Sequence, residues 1–239
     1  MTNNASHISL VLTRPLARSQ AFWAELPAHL RDSFRLVLAP LIAIEPCEAD
    51  FNLPKDATVI FSSINGVKFA PPGEGRTAFC VGPATTQAAI ANKWQAKTMG
   101  GTADELVTTL SDMTAPNGPL IHLSGRHTRG NIAQRLTANG TFVKHIVIYE
   151  QRAQHLSGEA KSTITGKDPV FIPLFSPRTA RQLAKEINTA PSATLIALSR
   201  NVAAEVTDLG VAVQIVADEP NAAAMVTAIE SALKSARLG

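Results

Sequence analysis

The segment His145-Ile146-Val147-Ile148-Tyr149-Glu150 decides how this sequence divides. It is a short apolar strand pattern that ends on the only tyrosine of the chain. From Gln151 to about Asp168 the sequence turns polar and loses its periodicity. On either side of that stretch the chain says much the same thing twice. Val59-Ile60-Phe61-Ser62-Ser63 returns as Val170-Phe171-Ile172-Pro173-Leu174-Phe175-Ser176, and each is followed by a helical pattern, Ile64 to Ala70 and Thr179 to Ile187. Ala78-Phe79-Cys80-Val81-Gly82 is echoed by Leu195-Ile196-Ala197-Leu198-Ser199, and Gly101-Thr102-Ala103-Asp104-Glu105-Leu106 by Asn221 to Val226. Strand and helix alternating in a repeat of this length predict two α/β halves, with Tyr149 at the join.

Read in order, Ile8 to Leu12 is a first strand and 17–26 a helix that Pro27 ends or kinks. A second strand at 34–38 leads to Leu41-Ile42-Ala43-Ile44, bounded by Pro40 and Pro46. That segment reads as a connector strand whose mate on the way back is Ile146-Val147-Ile148. Between the connectors strands are predicted at 58–61, 78–81, 96–99 and 120–123, and helices at 64–70, 83–91, 102–110 and 129–139. Gly140 is placed as a helix stop. Beyond the polar stretch follow strand 170–175, helix 179–188, strand 194–198, helix 201–208, strand 213–216 and helix 221–236. Short loops between alternating elements favour parallel sheets covered on both faces. The first βα unit cannot form a sheet alone, so it should rejoin the C-terminal section. The expected fold class is therefore α/β: two doubly wound parallel-sheet lobes joined by a two-stranded connector. One domain is discontinuous, 1–39 with 151–239, and 40–150 is inserted, including both connector strands.

Composition narrows the function. With 45% apolar and 17% charged residues among 239, the chain forms cores and is not disordered. The net charge of +3 comes without a basic run and with few aromatics, which argues against nucleic acid and leaves a small anionic ligand open. Cys47 and Cys80 show neither metal spacing nor a redox pair, as suits a reducing cytosol. Residues Met1 to His7 lack the apolar core of a signal peptide, and the apolar run 36–44 is broken by Pro40 and too short for a bilayer. A cytoplasmic monomer without membrane contact is expected. Gly125 to Gly130 lacks the Lys-Ser/Thr of a phosphate loop, and no dinucleotide fingerprint follows a strand. His122 and His127 have no third ligand nearby and read as structural or solvent-facing rather than metal-binding. Trp23 and Trp94 read as core residues on amphipathic helices.

Ligands of such sheets bind beyond the carboxyl ends of the strands. The residues expected there include Arg14, Ser63, Asn65, Thr85, Thr102, Arg126, Ser176, Arg178 and Asn201. Hydroxyls and free amides at helix N-termini, with arginine forks among them, suit carboxylates. Taken singly, each Ser, Thr or Asn is more readily a helix N-cap than a ligand contact. Taken together they are expected to line one cleft, with Ser63, Thr85 and Thr102 facing Arg14, Ser176 and Asn201.

The ordered set Thr13-Arg14-Pro15, Leu38-Ala39-Pro40-Leu41-Ile42, Phe61-Ser62-Ser63-Ile64-Asn65-Gly66-Val67, Val81-Gly82-Pro83-Ala84-Thr85, Gly101 to Leu106, Ser124-Gly125-Arg126, Tyr149-Glu150 and Phe175-Ser176-Pro177 resembles the uroporphyrinogen-III synthase family across nearly the whole chain. The resemblance implies a cofactor-free cyclisation: hydroxymethylbilane loses its hydroxyl to give an azafulvene, the last pyrrole ring inverts through a spiro intermediate, and uroporphyrinogen III closes. It also implies a role for the Tyr149 hydroxyl in assisting loss of the substrate hydroxyl. Two departures stand out. Ser199-Arg200 occupies the place of a glycine-proline pair common in the family, and Pro173 interrupts a strand usually unbroken, which suggests a sheet edge or a bulge. The alternative reading is a two-lobed module that binds a small anion, or an inactive relative of the synthase.

Overall fold

Strand segments that are apolar at every position must be covered on both sides, and this property organises the computed structural model. It describes residues 8–49, 52–114, 116–128 and 130–238. Arg129, where the sequence begins a helix, and the polar residues 1–7 lie outside them. The chain opens with β1 (Ile8–Leu12), α1 (Leu16–Glu25), the single turn α2 (Ala28–Arg31) and β2 (Phe34–Leu38), then passes into β3 (Ile42–Pro46). Next come β4 (Thr58–Phe61), α3 (Ile64–Phe69), β5 (Thr77–Cys80), α4 (Pro83–Ala91) and β6 (Gln95–Thr98). These lead to α5 (Ala103–Ser111), β7 (Leu120–Gly125), α6 (Ile132–Ala138) and β8 (Val143–Ala153). The chain ends with α7 (Gly158–Thr165), β9 (Val170–Leu174), α8 (Pro177–Glu186), β10 (Thr189–Ala197), α9 (Arg200–Ala203), β11 (Gly210–Val216) and α10 (Ala222–Leu238).

The chain forms two compact units, Met1–Ala43 with Arg152–Gly239, and Ile44–Gln151. The first holds a five-stranded sheet, β11-β10-β9-β1-β2, with parallel pairings throughout. Its side chains alternate as strand geometry requires. Val11, Val170, Ile172, Leu174, Leu195 and Ala197 enter one core, and Leu10, Leu12, Phe171 and Ile196 the other. The second unit is built on a six-stranded sheet, β3-β8-β7-β4-β5-β6, in which β4, β5, β6, β7 and β8 pair in parallel. Here Val59, Phe61, Cys80 and Leu123 face one core while Ile60, Phe79, Leu120 and Val143 face the other. The connector strands are neighbours. Cys47 N–H donates to the Ile148 carbonyl (3.0 Å) and Gln154 N–H to the Leu41 carbonyl (2.8 Å), so β3 and β8 run antiparallel.

Local chemistry sets the helix ends. Leu26, before Pro27, takes the extended conformation (ψ 140°) that proline imposes on its predecessor, which ends α1. Gly140 (φ 92°) follows α6 in a Schellman closure, with Gly140 N–H donating to the Thr137 carbonyl and Thr141 N–H to that of Leu136. Thr102 caps α5 by accepting from Glu105 N–H (3.2 Å), and the Glu105 carboxylate accepts from Gly101 N–H (2.7 Å).

Three expectations need correction. The polar stretch after Tyr149 is structured: β8 continues to Ala153, and Ser157 caps α7 by accepting from Ala160 N–H. Two residues, Ala160 and Ile164, supply its buried face, too few for a periodicity to be visible. Pro173 lies neither at an edge nor at a bulge, because β9 sits between β10 and β1. Pairing with β10 runs on to Ala197↔Leu174, whereas pairing with β1 stops at Leu10↔Phe171. The N–H that proline lacks is spent on the side where the ladder has already ended. Trp94 is a core residue, 3% exposed, but stands in the loop before β6 rather than on a helix.

His122, at the centre of β7, is 2% exposed, and burial pushes its imidazole down to about 4 with help from neighbouring His145. Below the ordinary imidazole value of about 6.5 the unfolded chain takes up a proton that the folded chain refuses until about pH 4, so acid favours unfolding across that window. The whole effect is limited to about 3 kcal/mol. We expect the urea midpoint to fall between pH 6.5 and pH 4, and a His122→Gln protein to lose less over the same range. Equal acid sensitivity in the two proteins would remove His122 as the cause.

Candidate functional site

The carboxyl ends of β4, β5 and β7 meet Tyr149 of β8 in the Ile44–Gln151 unit around a cavity of about 250 Å³. Ser62, Ser63, Val81, Ala103, His127, Thr128 and Tyr149 line it. Ser63 follows β4 and caps α3, its hydroxyl accepting from Gly66 N–H at 3.3 Å. Tyr149 lies on β8, two strands away across β7. Its hydroxyl nevertheless reaches the Ser63 hydroxyl at 3.0 Å.

Two glycines make that span feasible. Gly125 ends β7 directly beneath the tyrosine ring; a Cβ there would lie 2.6 Å from Cε2 and 2.7 Å from Cζ of Tyr149. Gly66 brings α3 against β7, where a Cβ would approach the Leu123 carbonyl oxygen to 3.0 Å and the Phe61 ring to 3.3 Å. The register also shifts between Ser124 and Gly125, so that Ser124 pairs with Val147 but Gly125 with Tyr149. Arg126 N–H then donates to the Tyr149 carbonyl (2.9 Å). The ring stacks on Phe69 with centroids 5.6 Å apart, and the residue is 8% exposed. Tyr149 is thus both packed and hydrogen-bonded, and it lines the cavity beside Ser63.

Behind the cavity wall lies a second polar group. Ser62 Oγ is 3.2 Å from His122 Nε2, the His122 ring stacks on His145 (5.4 Å, 28°), and His145 Nε2 is 2.7 Å from Ser124 Oγ. Burial lowers the His145 imidazole as well. Among the described residues no cluster of three or more His, Cys, Asp or Glu could hold a metal ion.

The other sequence-derived candidates are distributed as follows. Thr102 is exposed, but its hydroxyl is engaged as the α5 cap and Asp104 and Glu105 occupy the first turn. Thr85 is 6% exposed within α4, and Asn65 is half-buried in α3; neither lines the cavity. Arg126 is exposed and its Nε donates to Glu150 Oε2 at 3.0 Å. In the other unit the Arg14 guanidinium lies 4.1 Å over the Phe175 ring, and burial lowers its pKa. Ser176 caps α8, accepting from Thr179 N–H (3.2 Å). Arg178 is half-buried in the first turn of that helix, and Asn201 is exposed on α9. From sequence, Ser62 and Gly125 enter only as members of longer strand-end motifs, and His122 only as a structural or solvent-facing histidine. The signal for Gly125 was present in Ser124-Gly125-Arg126, a glycine closing a fully buried strand.

The Ser199-Arg200 departure has a backbone explanation. Gly82 caps α4 at φ 74°, which favours glycine, whereas Ser199 caps α9 at φ −161°, open to any residue. The second half therefore has no conformational need for glycine there.

No curated protein matches the sequence. Among solved structures, the chain is similar to uroporphyrinogen-III synthetase from Helicobacter pylori, with 14% identity and a TM-score of 0.62, covering 94% of this chain and 99% of that one. Uroporphyrinogen III synthase from Thermus thermophilus, in a mutant form, aligns at 15% identity and a TM-score of 0.45 over 95% and 99% of the two chains. The first likeness agrees with the two α/β units. Residues 27–227 match the family described as Uroporphyrinogen-III synthase HemD, and on that extent of match the chain belongs to the uroporphyrinogen-III synthase family.

Proposed function

We propose that the Tyr149–Ser63 pocket carries the chain's synthase activity, the cofactor-free closure of hydroxymethylbilane to uroporphyrinogen III that its family membership brings. The observation that supports this most is the hydroxyl pair at 3.0 Å on the cavity wall. A hydroxyl carries one hydrogen. Ser63 accepts from Gly66 N–H, and if it gives its own hydrogen to Tyr149 Oη, the phenolic hydrogen is left for the cavity. In this reading Tyr149 donates to the departing substrate hydroxyl, and Ser63 stabilises the phenolate oxygen as charge develops on it. Water leaves with the phenolic proton, and the substrate remains as the N-protonated azafulvene beside the phenolate, to which its N–H proton can return. The remaining work is to hold a flexible polycarboxylate in the pose that inverts its last ring.

The same reading assigns carboxylate binding to Asn65, Thr85, Thr102, Arg126, Arg14, Ser176, Arg178 and Asn201. Arg126 can keep its Nε on Glu150 and offer its terminal N–H groups to a carboxylate, whereas Thr85 is buried within α4 and is the weaker donor. A monomer and a cytoplasmic setting complete the proposal, the latter on the ground that Cys47 and Cys80 are free thiols. No helix among the described residues is long and apolar enough to cross a membrane.

Tyr149→Phe is expected to slow formation of isomer III about 10- to 100-fold, at the low end of positioned acid catalysis because the pyrrole already activates the leaving group. Isomer I, the product of unassisted closure, should rise, while KM stays near wild type. Incubation with freshly prepared hydroxymethylbilane and chromatographic separation of the isomers measures this; an unchanged rate and isomer ratio would return Tyr149 to a packing role.

Gly125→Ala forces the tyrosine ring off its seat. It is expected to cost about 1–3 kcal/mol of stability, as overpacking does, and to lower activity further than that loss explains. Gly158→Ala is the control, since its Cβ would meet nothing within 4 Å. Denaturant titration of both variants decides: equal stability and activity in the two would show that the ring does not depend on Gly125.

A further inference from the structure

Ser62 and Ser63 are adjacent on the cavity wall, yet only Ser63 serves the helix behind it. Ser62 Oγ makes its hydrogen bond with the buried Nε2 of His122. That contact has two forms. If Nε2 bears the hydrogen it donates to Ser62, whose own hydrogen is then free to enter the cavity. If Nε2 is bare it takes the Ser62 hydrogen, and the cavity meets only oxygen lone pairs.

The surroundings favour the first form. Beside His122, Ser124 Oγ lies 2.7 Å from Nε2 of a second imidazole, His145, and 3.2 Å from the Gly125 carbonyl, one hydrogen for two acceptors. The His122 ring stacks face to face on this second imidazole, and burial keeps both neutral near pH 7. Nε2–H is also the commoner tautomer of a neutral histidine side chain. No carboxylate lines the cavity, so its hydroxyls have no internal anion to bind. A Ser62 that offered only lone pairs would repel a substrate carboxylate.

We propose that His122 is a positioning residue: its Nε2–H donates to Ser62 Oγ and turns the Ser62 hydroxyl hydrogen into the cavity, as a donor to a carboxylate of the substrate. The identity of the carboxylate rests on the function proposed above; the direction of the hydrogen bond does not. His122 touches no substrate in this arrangement and acts through Ser62 alone.

Two measurements test this. Long-range proton–nitrogen correlation spectra of the wild-type protein with ¹⁵N-labelled histidine should show His122 with a protonated Nε2 and a bare Nδ1 at pH 7. The opposite tautomer overturns the proposal whether or not the protein turns over hydroxymethylbilane, so failure here is distinct from failure of the proposed function. In steady-state kinetics, Ser62→Ala and His122→Leu should each raise KM for hydroxymethylbilane about tenfold with kcat within about twofold, the size of one lost hydrogen bond to a charged group. The double variant should be no worse than either single one, and His122→Gln, whose amide can donate to Ser62, should recover most of the loss. Additive losses, or a fall in kcat at constant KM, would mean that His122 supports the core and not the Ser62 hydroxyl.

Discussion

The Tyr149 ring must cross a whole strand to reach Ser63, and it can do so only because β7 ends on a residue without a side chain. An alanine methyl at Gly125 would occupy the space of the ring, at separations that real Cβ atoms essentially never show. Three other features converge on the same contact. The register shift opposite Ile148 puts Tyr149 rather than its neighbour beside Gly125. Gly66 lets α3 close on β7, which sets the position of its cap Ser63. Phe69, from that same helix, supplies the stacking face. The hydroxyl pair is the product of three backbone conditions and one aromatic contact, which is why no single motif announces it.

A hydroxyl at the end of a strand is useful to a ligand only if the fold has not already used it. Thr102 and Ser176 each give a lone pair to a helix cap, Ser176 also meets Thr179 Oγ1 at 2.9 Å, and the first turn of α5 carries its own carboxylates. Ser63 is also a cap, but its oxygen keeps a second lone pair and a hydrogen, and one of these meets Tyr149. Ser62 is spared capping altogether because Ser63 takes that role, and the buried imidazole beneath it becomes its partner. The parallel sheet thus delivers many polar groups to one edge, and the capping pattern decides which of them remain available.

Much of this fold was legible because parallel strands buried on both faces leave continuous apolar runs. Val59 to Phe61 and Val170 to Leu174 are such runs, and their repetition gave the two α/β halves. The connector strands were legible from Pro40, Pro46 and the apolar triplet before Tyr149. What sequence hid is instructive by residue. Helix α7 buries only Ala160 and Ile164 and so shows no period. Pro173 looked like an edge because the rule about proline counts a lost donor without asking on which side the donor would point. Trp94 fills the core from a loop, beside Gly73, where a Cβ would lie 2.5 Å from the indole. Within the site, Tyr149 and Ser63 could be named from the strand ends. Gly125 and His122 could not, since one contributes by lacking atoms and the other by bonding sideways within a buried sheet.

The difference between the two halves follows from the same reasoning. Gly82, at φ 74°, leads Pro83 into a nine-residue helix. Ser199 at the corresponding point keeps an extended backbone, and the helix it begins lasts four residues before tightening into a 3₁₀ turn at Ala204–Val206. A serine there is therefore no lesion in a glycine-requiring turn; it belongs to a different turn, one that presents Asn201 on an exposed, short helix instead of burying a threonine as α4 buries Thr85. The halves repeat in their sheets, whose strands are constrained on both faces, and diverge in the turns above them, where only the backbone angle of one residue selects the outcome. Because Tyr149 and Ser63 belong wholly to the half that keeps Gly82-Pro83, the altered turn at Ser199-Arg200 leaves the hydroxyl pair intact.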